Sequence, residues 1–135
     1  MSETSLLVAG ALLVTVPSIE FGGMALLAFI RRRDPGYVDN PVRKALFRAG
    51  HAHAGVLVIL ALVVLLYVDH ARLPEALRTL VRTSVALAPI LVSAGFFFSV
   101  ASRRAERPNR FLGLVYLGAL FLAMGTVTLG VGLLR

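Results

Sequence analysis

Glu20, His51, His53 and Ser93 are the side chains of this sequence best equipped for chemistry. A carboxyl and an imidazole can exchange protons, an imidazole can ligate a metal, and a hydroxyl can position a polar ligand. All four stand inside long apolar runs, where an ionisable group is costly and needs a reason to be there. Residues two apart on a helix point about 200° apart, so His51 and His53 cannot both ligate one ion. A zinc site would want an i, i+4 pair and further ligands, and only Glu20 and His70 remain to supply them. One axial histidine on a haem needs a single imidazole on the correct face, which fits better. Gly50, Ala52, Ala54 and Gly55 would leave room there for a flat macrocycle, or for a close helix. The competing reading is structural: a histidine hydrogen-bonded to a neighbouring helix, with Glu20 as its ion-pair or hydrogen-bond partner.

The elements that must position these residues follow from composition. The chain has 135 residues, is 58% hydrophobic and has no cysteine, so thiolate sites and disulfides are excluded. Its mean hydropathy is +0.84. The apolar residues form blocks rather than stripes, and a helix needs about 20 of them to cross a bilayer. Four blocks qualify, at about 6–30, 46–67, 83–102 and 111–134. The expectation is all-α: a polytopic membrane four-helix bundle forming one transmembrane domain over 1–135. Asn40-Pro41 predicts the start of the second helix at the interface, as N-cap and first helical residue. Leu73-Pro74-Glu75 repeats that signal for the third helix. The first block is too long for a signal-peptide core and lacks a basic start, so it reads as a retained span.

Charge sets the orientation. The net charge is +7, and it lies in loops, where topology and anionic lipid explain it better than nucleic acid does. Ten of the basic residues (Arg31, Arg32, Arg33, Arg43, Lys44, Arg48, Arg103, Arg104, Arg107 and Arg110) fall on one side, against Arg72, Arg78, Arg82 and Arg135 on the other. The positive-inside rule predicts the first set in the cytoplasm and both termini outside, in a bacterial inner membrane. Arg43 and Lys44 then read as snorkelling to lipid phosphates, Arg48 as a partner for an anionic group, and His70 as a solvated loop residue. Counting ~1.5 Å per residue puts Glu20, His51, His53 and Ser93 at similar depth. Pro17 and Pro89 free the carbonyls of Leu13 and Val85 near that level. Gly118, Gly125 and Gly132 recur every seven residues on one seam, for packing within the bundle or between subunits.

The stretch Arg48-Ala49-Gly50-His51-Ala52-His53-Ala54-Gly55 resembles the Ala-His-x-Gly at the start of helix two in the small four-helix membrane proteins that include styrene-oxide isomerase and hydroxylaminobenzene mutase. Gly95-Phe96-Phe97 and the alanine- and glycine-rich last helix extend the resemblance. It implies a haem b held by His53, with His51 as second candidate, Arg48 toward a propionate and Gly55 beside the ring. It also implies a homo-oligomer, a trimer with haem at the subunit boundary, and an isomerase whose haem iron acts as Lewis acid on a small lipophilic substrate. Glu20 and Ser93 would be candidate catalytic or wall residues. Two family positions differ: an asparagine six residues after the ligand falls on Ile59, and a helix-three tyrosine on Phe97. The alternative is a non-enzymatic structural or accessory membrane subunit, in which Glu20 and a histidine tie helices together.

Overall fold

In the computed structural model, which describes residues 1–135, the chain is helical throughout, with no strand. The elements are α1 (Glu3–Arg31), a single helical turn α2 (Pro35–Val38), α3 (Pro41–Val68), α4 (Glu75–Ser99) and α5 (Gly113–Leu134). The four long helices are each long and apolar enough to cross a membrane, and the chain is a multi-pass membrane protein. Leu7, Val14, Phe21 and Tyr116 stand at least 70% exposed. In water such a surface would drive aggregation; in hydrocarbon it is the ordinary outer face of a span.

Local signals place most helix ends. Asn40 caps α3 by accepting from the Arg43 N–H at 2.9 Å, with Pro41 as the first helical residue. Pro74 precedes α4, and Glu75 opens it. The Asp34-Pro35-Gly36 segment forms the turn α2. The third span ends at Ser99 rather than near 102, because Asn109 folds back onto its last carbonyls. The Asn109 N–H donates to Ser99 and its side-chain amide to Phe98, at 2.9 and 3.1 Å. A 3₁₀ turn at Arg110–Leu112 then leads into α5. α1 closes with Arg33 at φ 49°, the left-handed position that glycine usually fills after a helix. Its successor, Asp34, donates its N–H to the Phe29 carbonyl, as that cap requires.

α4 and α5 pack closest, and glycine makes this possible. A Cβ on Gly118 would stand 2.6 Å from Val92 Cγ2, and one on Gly125 2.9 Å from Val85 Cγ1. Gly132 abuts Leu73 in the same way, and all three glycines are buried. The seven-residue seam therefore packs within the chain. Gly95 answers from α4, where a Cβ would meet Val115 at 2.7 Å. α1 lies against α3 and buries only Ser5, Leu12 and Leu26.

The core divides in two. One cluster, around Leu65, Val68, Val81 and Val85, fills the end where both termini lie. The other, Leu26, Tyr37, Phe47 and Val100, fills the basic end. Each end also carries a buried arginine. Arg43, read as a lipid-facing snorkel, is instead 8% exposed. Its Nε donates to the Val100 carbonyl at 3.2 Å and its Nη1 to Gly36 at 3.0 Å, with the guanidinium 4.3 Å from the Phe47 ring centroid. The guanidinium caps the orphan carbonyls where two helices end, and stacking on an aromatic face suits its planar charge. Lys44 is half-buried on the adjoining turn.

At the termini end Arg82 is 2% exposed. Sequence placed it with the loop charges, but it is the centre of a network. It donates to Glu75 at 2.5 Å, to Asp69 at 2.7 Å and to Ser5 at 2.9 Å. Asp69 also accepts from the Ser2 N–H at 2.6 Å, so α1, α3 and α4 are tied at one point. Burial pushes the Asp69 carboxyl up, but the Ser2 N–H and the Arg82 guanidinium outweigh it and hold it well below the usual carboxylate range.

Candidate functional site

Between the two cores lies a mid-depth level of the bundle where Glu20, His51 and Ser93 interrupt an otherwise apolar lining. The cavities at mid-depth open there. The four chemically able residues do sit at this level, yet they do not converge.

His51 leans on α1. Its ring lies over the Gly22-Gly23 step, where a Cβ on Gly23 would stand 3.0 Å from Nε2 and one on Gly22 3.6 Å from Nδ1. Both ring nitrogens thus face the α1 backbone, and the two glycines make the notch that admits them. Sequence reasoning missed this pair. Its signal was the adjacent glycines of Glu20-Phe21-Gly22-Gly23 within an apolar span. His51, Glu20, Gly23 and Gly55 line one cavity of about 660 Å³, walled otherwise by Leu13, Val16, Ile19, Val58, Ile59 and Leu62. Glu20 is exposed at its edge. Neither side chain enters an ion pair or a hydrogen bond within the chain. The expected Glu20–His51 tie between helices is not made. Arg48 lies one turn toward the basic end, in an adjoining cavity of about 330 Å³ with Gly23, Leu26, Tyr37 and His51.

His53 turns to the other edge of α3. Its ring packs 5.2 Å from Phe96 on α4, and its side chain is exposed on the bundle surface. The Nδ1 atom lies 2.8 Å from the Ala49 carbonyl oxygen. A carbonyl only accepts, so Nδ1 carries the proton and Nε2 presents its lone pair outward. A backbone carbonyl on one ring nitrogen is the usual way to fix the tautomer and orientation of a metal-binding histidine. Arg48 projects from α3 about 140° around the helix from His53, so the two do not share a face.

Ser93 faces neither histidine. It lines a third cavity of about 240 Å³ between α1, α3 and α4, with Thr15, Ser18, Ala54 and Pro89. The Thr15 and Ser18 hydroxyls are both spent on carbonyls of their own helix, at 2.6 Å each. The Ser93 hydroxyl is buried without a partner.

The donor set limits what the level can hold. No three histidine, aspartate or glutamate side chains come together as a group able to hold a metal ion. A haem brings four nitrogen donors of its own and asks the protein for one or two. His53 suits that demand: one free nitrogen, a fixed tautomer, and low relief around it from Ala49 and Ala52. His51 suits it less, because its nitrogens are turned into the glycine notch. No family model matches the chain, and neither does any curated protein or solved structure.

Proposed function

We propose that this chain is a haem b-binding multi-pass protein of the bacterial inner membrane, with His53 as axial ligand and the basic end in the cytoplasm. The observation that carries the reading is the Nδ1–H bond of His53 to the Ala49 carbonyl, which leaves Nε2 outward on an exposed helix face. Phe96 steadies the imidazole from one side. A bound ferric haem would supply a Lewis acid able to polarise an oxygen of a small lipophilic molecule, the chemistry of an isomerase.

A macrocycle on an outer face needs a second wall. A second copy of the chain supplies one, which supports a homo-oligomer, a trimer on the resemblance described above. Ile59 and Phe97 stand where the isomerase has polar groups. Phe97 packs edge-on against Phe47 at 5.2 Å, so it offers no donor to a substrate. The haem proposal rests on His53 and its carbonyl bond, and the isomerase activity on the resemblance.

His51 takes a different role, favoured by its seat on Gly22-Gly23: it positions α1 against α3. That is the surviving part of the structural-subunit alternative, and it applies to His51 rather than His53.

Purification from haem-replete cells tests the proposal. The expected product is red, with a Soret band that His53→Ala abolishes and His70→Ala leaves intact. A folded, colourless wild-type protein would overturn it.

A further inference from the structure

Arg48 lies about 140° around α3 from His53, so the haem reading gives its charge no use. Two other cations at the basic end are already engaged. Arg103 holds both Asp34 oxygens, at 2.7 and 2.8 Å, and Arg43 donates to the Val100 and Gly36 carbonyls. Arg48 and Lys44 enter no ion pair. They stand at i and i+4, one turn apart on the same face of α3. Arg48 also lines the cavity of about 330 Å³ between α1 and α3, with Leu26, Leu27 and Ile30, and no carboxylate lines it. Two positive charges thus stand at one end of an apolar cleft with nothing in the chain to neutralise them.

Deeper in the bundle the walls are aliphatic. The cleft shares Gly23 and His51 with the cavity of about 660 Å³, whose lining continues through Val58, Ile59 and Leu62. Arg48 to Leu62 spans about 21 Å of α3. Half of a ~30 Å hydrocarbon core is about 15 Å, so the groove is long enough for one acyl chain of a single leaflet. The order of charge and apolar wall selects among occupants. A soluble anion would reach Arg48 only beside Leu27 and Ile30, which are 55% and 52% exposed and face hydrocarbon. A hydrocarbon tail alone would leave both cations unmet. A zwitterionic headgroup carries its own cation beside its phosphate and so gains less from two more. An anionic phospholipid matches both ends, phosphate to Arg48 and Lys44 and tail to the aliphatic wall. Glu20 lies beyond His51, at the edge of the tail's path rather than beside the phosphate.

We propose that the α1–α3 groove binds one anionic phospholipid from the leaflet at the basic end, its phosphate on Arg48 and Lys44 and one acyl chain laid past His51. The site is independent of His53.

The test uses the full chain in phosphatidylcholine nanodiscs with a trace of phosphatidylglycerol carrying a photoreactive diazirine in one acyl chain. The expected label is saturable and maps to peptides spanning 23–30 and 51–59. Unlabelled phosphatidylglycerol should compete about tenfold better than added phosphatidylcholine, and inorganic phosphate should not compete. Arg48→Gln and Lys44→Gln should each weaken labelling about fivefold. Arg107→Gln, which removes an exposed cation of the loop after α4, should leave it unchanged, as should His53→Ala. Leu27→Trp should block the groove from its exposed edge without repacking the bundle, and it covers the case in which a polar variant fails to fold. Equal competition by the two lipids, or equal loss in Arg107→Gln and Arg48→Gln, would overturn the inference by showing only the general attraction of a basic surface. Displacement by inorganic phosphate would overturn it in favour of a soluble anion. Disulfide trapping of Leu27→Cys to a second copy, with labelling blocked, would overturn it in favour of a subunit interface.

Discussion

The termini end and the mid-depth level handle polar groups in opposite ways. At the termini end, Arg82 gathers Asp69, Glu75 and Ser5 into a closed network, with the Ser2 N–H completing Asp69. At mid-depth, Glu20, His51, His53 and Ser93 share a level but point into three separate environments. Only His53 makes a hydrogen bond, and that one is to its own helix. Both regions carry groups that apolar surroundings penalise. The first supplies its partners from within the chain and so fastens three helices together. The second ties no helices together by hydrogen bonds, and the Ser93 hydroxyl is buried there without a partner. His51, without a hydrogen bond, seats α1 against α3, and His53, bonded only to its own helix, keeps one ring nitrogen free.

That contrast is broken most severely at Arg82. Arg82→Ala strands Asp69 beside a buried void, and losing one partner of a buried pair costs about 3–5 kcal/mol. A thermal melt in detergent should show a larger fall for this variant than for any substitution at mid-depth. The α4–α5 seam comes next. Gly118→Val forces a branched side chain into Val92, and overpacking of this kind costs about 1–3 kcal/mol, read in the same melt. Glu20→Leu should instead leave the melting temperature unchanged or raise it, because no contact within the chain is lost and a polar group leaves hydrocarbon. A large fall for Glu20→Leu would show that the mid-depth level is a structural tie after all.

pH sharpens the comparison. The Asp69 carboxyl has a folded pKa depressed below its unfolded value of about 3.9. Its stabilisation is fully present above that unfolded value and is lost as pH falls below it toward the folded pKa. Melting temperature should thus hold steady from neutrality to about pH 5 and drop below about pH 4, and Asp69→Asn should flatten the drop. The smallest effect lies at the end of α1. Arg33→Gly relieves a left-handed residue, a gain of about 0.5–1 kcal/mol offset in part by the freer unfolded chain.

Much of the fold was legible because membrane constraints are coarse. Blocks of twenty apolar residues, Asn40-Pro41 and Leu73-Pro74-Glu75 place the helices to within a few residues. The end of α4 was not legible, since Asn109 sets it from ten residues downstream. Arg43 and Arg82 were misread for one reason. A positive charge near a helix end looks like a lipid or solvent contact, and only the assembled bundle shows which carbonyls and carboxylates meet it. Depth along each helix was readable by counting, so Glu20, His51, His53 and Ser93 were placed at one level. Azimuth was not, because it depends on which face of α3 takes α1 and which takes α4. The Gly22-Gly23 notch settles His51, and Phe96 settles His53.

The most direct test of this division is ligand rescue, with wild type, His51→Gly and His53→Gly purified in parallel and scanned for the Soret band with and without added imidazole. Wild type and His51→Gly should be red, His53→Gly colourless, and imidazole should restore the band in His53→Gly. A colourless wild type, or loss of the band in His51→Gly with rescue there instead, would contradict the assignment of His53 as the residue this fold leaves free for a ligand.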